Sequence, residues 1–113
     1  MRRGEIWWAS LPEPADSEPG YRCPVIIVQA DDFNRSSIRT VIAAAFTSNL
    51  RLADAPGNVL LKKRESGLER ESVVNVSQLF TVGRTVLSER VGRVPGSTLQ
   101  RIEDGLRQVL AWE

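Results

Sequence analysis

Four consecutive apolar residues, Val25-Ile26-Ile27-Val28, constrain this chain more than any other feature in it. Side chains on a strand alternate between two faces, so a strand lying over a core on one face alternates apolar and polar. This run does not alternate, and it reads as part of a strand over residues 24–30 buried on both faces. The fold must therefore place material on both sides of at least one strand. Immediately before it, Ser17-Glu18-Pro19-Gly20-Tyr21-Arg22-Cys23-Pro24 is polar turn sequence that delivers Arg22 to the strand's mouth. A cation carried by a loop and clamped to a rigid strand is how a site for an anion is usually built. Taken alone, the same pattern also describes a hairpin end with a solvated arginine.

The rest of the chain supplies partners for that strand. Residues 4–11, with Trp7 and Trp8 adjacent, read as a first strand whose two indoles face opposite sides. One ring can fill the core, and the other must find a groove or a partner, because indole is costly to leave in water. A loop over 12–21 follows. Beyond the buried strand come a turn over 31–37 and a β-branched strand over 38–46 that ends at the turn formers Thr47-Ser48-Asn49. Another loop spans 53–57. Strands are expected at 59–63 and 72–77 around a charged turn at 64–71, with shorter ones at 79–82 and 90–94. Residues 97–110 differ: Leu99, Ile102, Leu106, Val109 and Leu110 recur at helical spacing, and Ser97-Thr98-Leu99-Gln100 fits a capping box. Short strands closed by one amphipathic helix predict a mainly β chain with some α, a small, partly open β-barrel. At 113 residues, 1–113 is expected to form one domain with a single core.

Composition removes whole classes of chemistry. The chain has no histidine and a single cysteine, Cys23. Histidine-based triads, cysteine–histidine pairs, paired-histidine RNA cleavage, intrachain disulfides and cysteine zinc sites are all excluded. Catalysis must rest on carboxylates, hydroxyls, arginine, lysine or backbone dipoles. Adjacent Asp31 and Asp32, and Glu69 with Glu71, diverge and make poor metal-ligand sets, so no cofactor is expected. The longest apolar run, 41–46, is too short to cross a bilayer. Met1-Arg2-Arg3 opens like a signal peptide, but Glu5 interrupts the apolar segment that should follow. A soluble, cytoplasmic protein with no membrane partner is expected. Net charge is only +1, yet Arg35, Arg39, Arg51, Lys62, Lys63 and Arg64 face the single acid Asp54 between residues 33 and 64. A local basic field on a nearly neutral chain suits a polyanion, and suits solvated strand faces equally well.

Arg3-Gly4-Glu5-Ile6-Trp7, Ser17-Glu18, Pro24-Val25-Ile26-Ile27-Val28, Asp32-Phe33-Asn34, Thr47-Ser48-Asn49, Glu71-Ser72-Val73-Val74 and Ser77-Gln78-Leu79 follow one another in that order. In this series the chain resembles the MazF/PemK family of toxin endoribonucleases over essentially its whole length. The resemblance implies an SH3-like barrel with a C-terminal helix, acting as a homodimer. It implies metal-free cleavage of single-stranded RNA at short sequences, leaving a cyclic phosphate, and a cognate antitoxin occupying the same groove. It also implies catalytic roles for Arg22 and Thr47, and substrate contacts from Ser17, Glu18, Asn34, Ser48, Ser72 and Gln78. Trp8 is the stacking candidate if Trp7 is the core residue. One departure stands out: the family's arginine directly precedes the proline, and here Cys23 holds that place while Arg22 lies one residue earlier.

The residues present fit that chemistry. In metal-free RNA cleavage the ribose 2′-hydroxyl attacks its own phosphate, so the protein has to stabilise growing negative charge and assist proton movement. A guanidinium suits the first task and, being permanently protonated, suits general-base work poorly. A shift of one residue on a strand reverses the face. Either local twist brings Arg22 inward, or Cys23 leaves the place without a cation and the enzyme is weakened or inert. A metal-dependent nuclease, an inert binding module and a topoisomerase poison are the readings from other classes.

Overall fold

The computed structural model describes residues 1–11 and 21–112. Its strands are β1 (Glu5–Leu11), β2 (Tyr21–Ile27), β3 (Thr40–Thr47), β4 (Val59–Leu61), β5 (Ser72–Gly83) and β6 (Leu87–Arg93). They form one antiparallel sheet in the order β4-β5-β3-β2-β1-β6. Two four-residue helices, α1 (Asp31–Asn34) and α2 (Lys63–Ser66), interrupt the strands, and α3 (Gly96–Leu110) follows them. The edge strands β4 and β6 both touch α2. The sheet therefore curls into a half-barrel with α2 bridging its two edges, the partly open mainly β architecture expected.

Burial on both faces of β2 is as expected. Val25, Ile26 and Ile27 are fully buried and Val28 nearly so. Ile26 and Val28 join the main core with Ile6, Ala44, Leu61, Val74, Val76 and Ile102 of α3. Val25 turns to the other face, where it meets Ala9 and Ala43 under Trp7, Leu11, Cys23 and Phe80. Burying a residue of this size contributes about 1.5–3 kcal/mol, so β2 is the anchor of the sheet.

Several local expectations shift. The strand expected at 24–30 starts earlier, because Tyr21 to Cys23 pair with Leu11 to Ala9 of β1. It also ends earlier, where the amides of Val28 and Gln29 both reach the Ile42 carbonyl, at 3.1 and 3.2 Å. The two short strands expected at 72–77 and 79–82 are one twelve-residue strand, β5, with a break in register: Leu79 faces Ala44 and Asn75 faces Ala45. Residues 76–78 are thus extra on that strand and bend it. The turn at 31–37 contains α1, and the charged turn at 64–71 contains α2. The capping box at Ser97-Thr98-Leu99-Gln100 is not formed. Pro95 is the N-cap of α3 and lends no side-chain bond. Thr98 instead donates to Glu65 Oε2 at 2.5 Å, and Gln100 Nε2 donates to Asp104. A tertiary partner has displaced the local cap.

Candidate active site

One end of the sheet gathers the start of β2, the end of β3, the start of β5 and the end of β4, since the strands are antiparallel. Strand parity assigns the faces there. Val25 pairs with Ala45 and Ala9 with Cys23, so Cys23, two positions from Val25, shares a face with Thr47, two positions from Ala45. Thr47 pairs with Val73, which pairs with Leu60, and Asn75 faces Ala45. Cys23, Thr47, Asn75 and Leu60 therefore project to one side.

Arg22 projects to the other. Its row contains Ser10 and continues to Trp8 and Pro24. The guanidinium carbon lies 4.5 Å from the centroid of the Trp8 ring, a cation–π contact. Nη2 donates to Glu89 Oε1 at 2.6 Å in an ion pair whose side chains are 49% and 67% exposed. The expected meeting of Arg22 with Thr47 is not made in this conformation, for the reason of period: one residue separates Arg22 from the face that Cys23 occupies. Pairing between β2 and β3 ends at Val25–Ala45, however, so the strands part at this rim. Arg22 on β2 and Thr47 on β3 both lie beyond that last pair, with their side chains on opposite faces.

The Thr47 hydroxyl accepts the Asn49 amide at 3.1 Å, and Asn49 Oδ1 in turn accepts the Arg51 amide and caps a 3-10 turn, Leu50–Asp54. Thr47-Ser48-Asn49 thus builds the turn expected of it. The hydroxyl of Thr47 can still donate its own proton to an acceptor in the gap. Ser48 is exposed at the same rim.

Other predicted contacts sort clearly. Trp7 is half-buried against the second apolar cluster, and its indole donates to Glu5 Oε1 at 3.0 Å. Burial alone pushes the Glu5 carboxyl up, but hydrogen bonds from Trp7, the Arg2 amide and Arg90 outweigh it and hold it below the ordinary glutamate range. Trp8, on the opposite face from Trp7, carries Arg22 stacked on its ring. Gln78 is exposed on the bend of β5. Asn34 and Ser72 do not offer their side chains to a substrate. Asn34 is buried, donating to the Gln29 carbonyl and to Asp31 Oδ1, both at 3.0 Å, and accepting from Gln29 Nε2 at 2.9 Å. Ser72 is buried on the strand face away from Thr47 and donates to the Arg70 carbonyl. Ser17 and Glu18 lie outside the described residues. Asn75, on Thr47's face and accepting from Ser77 at 2.8 Å, escaped the sequence argument, because only the β5 register reveals its row. Among the described residues no group of three or more acidic, cysteine or histidine side chains is placed to hold a metal ion. No helix among them is long and apolar enough to cross a membrane.

Known proteins with this chain pattern are numerous enough to place it. The endoribonuclease MazF2 of Mycobacterium bovis is 48% identical over 110 residues, spanning 97% of this chain and 96% of that protein. The endoribonuclease EndoA of Bacillus subtilis is 30% identical over 111 residues, 98% of this chain and 95% of that protein. A mycobacterial endoribonuclease solved in complex with its cognate antitoxin superposes with a TM-score of 0.80 over 100% of this chain and 97% of its own, at 22% identity, which speaks for the fold. The sequence model of PemK-like, MazF-like toxins of type II toxin–antitoxin systems matches residues 2–110. This chain belongs to the PemK-like, MazF-like toxin family.

Proposed function

We propose that this protein is a toxin endoribonuclease that cleaves single-stranded RNA at short sequences and is silenced by a cognate antitoxin, acting in the cytoplasm as a homodimer. Identity of 48% along nearly the whole length of proteins named endoribonuclease carries this reading. The residue types at the rim suit a metal-independent route in which the 2′-hydroxyl attacks the adjacent phosphorus and displaces the 5′-oxygen. That route requires Arg22 to turn from Glu89 and Trp8 toward the gap. The scissile phosphate enters the gap between β2 and β3. Thr47 donates its hydroxyl to a phosphoryl oxygen, and Arg22 leaves Glu89 to hold the charge that grows as the bond breaks. An ion pair this exposed is worth about 0.2–1 kcal/mol, so a doubly contacted phosphate outcompetes Glu89. Trp8 then offers a ring face to an unstacked base, and Gln78 and Ser48 offer polar groups to base edges. Ser17 and Glu18, from the loop before β2, complete the substrate contacts. Phe33, Ile42, Leu110 and Trp112 line an apolar groove of about 690 Å³ and are each at least 40% exposed, which supports pairing with a second copy.

The test is direct. Purified protein is incubated with a long transcript of defined sequence, with and without chelator, and the cut ends are mapped. Cuts at one short sequence with cyclic-phosphate ends, undiminished by chelator, are expected. Intact RNA, or cleavage abolished by chelator, would contradict the proposal.

A further inference from the structure

We infer that Lys62, Lys63, Arg64 and Arg70 form a second RNA-backbone site that holds the strand a few phosphodiesters away from the cut. The inference rests on the endoribonuclease reading and extends it to a part of the chain that reading leaves unused. These four cations line one surface depression of about 710 Å³ together with Ser48, the neighbour of Thr47. Glu69 and Glu71 also line it, so the depression keeps a net charge of +2. No ion pair within 4.0 Å ties any of the four cations to an acid among the described residues. By contrast Arg3, Arg22, Arg35, Arg90, Arg101 and Arg107 are each held by a carboxylate.

Position joins the patch to the cut. Thr47, Val73 and Leu60 are consecutive partners across β3, β5 and β4. Two strand spacings put Leu60 about 10 Å from Thr47. The backbone stays extended through Lys62, the residue before α2, so Lys62 shares the face of Leu60 and Thr47. Lys62, two residues beyond Leu60, stands about 12 Å from Thr47. This is further than the Debye length of about 8 Å at physiological salt, so the patch acts by direct contact with phosphates neighbouring the cut rather than through its field at the rim. Leu50 lies in the same depression and is 45% exposed. An apolar surface among cations suits the alternation of phosphate and base in a single strand better than it suits a wholly acidic polypeptide.

The charge-to-amide triple variant Lys62→Gln/Lys63→Gln/Arg64→Gln tests this, because all three side chains are exposed and the fold should survive. Binding of a fluorescein-labelled, mixed-sequence single-stranded RNA is followed by anisotropy across a salt series, and cleavage of the same RNA is timed. Losing three phosphate contacts should flatten the slope of log K against log salt by about 2 and weaken binding at 0.1 M salt at least about tenfold. KM should rise while kcat at saturating RNA holds, with a melting temperature lowered only slightly by the loss of the Arg64 charge beside Glu65. Coincident binding curves in a wild type that cuts would overturn the patch and leave the enzyme reading intact. Weakened binding in a wild type that never cuts would sustain the patch and sink the enzyme reading. Wild type that neither binds nor cuts defeats both. Unaltered RNA affinity with lost binding of polyglutamate would reassign the surface to an acidic polypeptide and overturn the inference.

Discussion

Replacing Gly105 by alanine sets two effects of opposite sign against each other. In a helix interior the exchange should help, by about 1 kcal/mol. Here the added methyl would stand 2.0 Å from the Gly57 carbonyl oxygen, 3.0 Å from its carbon and 3.2 Å from its Cα. A carbon–oxygen contact needs about 3.3 Å, so helix and loop must separate by more than about 1 Å. Backbone stands on both sides of the clash, so no rotamer can relieve it. Gly57 has a φ of +82°, which an L side chain rarely adopts, so that loop is poorly placed to yield. Overpacking costs of about 1–3 kcal/mol are ordinary, and the upper end applies here. After subtracting the propensity gain, the net loss is about 2 kcal/mol, a fall in melting temperature of roughly 8–12 °C for a domain of this size. Thermal and urea unfolding of Gly105→Ala measure it, with Gly96→Ala as the control, since nothing lies within 4 Å of that position. A Gly105→Ala protein as stable as wild type, or more so, would refute the claim that α3 is seated on bare backbone.

Asn34→Ala leaves the Gln29 amide and carbonyl without their buried partner, and urea unfolding should show a loss of about 1–3 kcal/mol with little change in cleavage measured on folded protein. Glu65 is held below the ordinary 4.5 of a glutamate, first by the Thr98 hydroxyl, then by the Lys62 amide, against the upward push of burial, with Arg101 and Arg64 adding to the depression. A depressed carboxylate stabilises above the unfolded value and loses that contribution as pH falls through the folded one. The stability gap between wild type and Glu65→Gln should therefore be present at pH 7 and shrink below about pH 4.5. Glu89→Gln frees Arg22 from its exposed ion pair and should raise kcat/KM by up to about fivefold; an unchanged or lower value would deny competition between Glu89 and the phosphate.

What was legible in the sequence was set by local pattern. The unalternating run at Val25 to Val28 announced its double burial, and the helical spacing from Leu99 to Leu110 announced α3. Period-two reasoning also flagged that Arg22 and Cys23 face opposite ways, which the pairings of Ser10 and Ala9 bear out. What was not legible depended on distant partners. The three extra residues on β5 exist only relative to β3, so Asn75 could not be placed. A four-residue helix such as α2 has no periodicity to betray it, and its role as a bridge between sheet edges is tertiary. The hydroxyl of Thr98 satisfied a local motif on paper but found a better acceptor in Glu65, 33 residues away. Asn34 sat within the family-like Asp32-Phe33-Asn34 motif, yet its amide is spent inside the turn that α1 closes.

The central mechanistic claim is that a guanidinium at the mouth of β2 and a hydroxyl at the end of β3 act on one phosphate. Single-turnover cleavage by Arg22→Ala, alone and combined with Cys23→Arg, tests it most directly. The single variant should be slower by about a hundred- to a thousandfold. The combined variant, with its guanidinium on Thr47's own face, should regain most of that rate. Wild-type speed in Arg22→Ala would contradict the account outright.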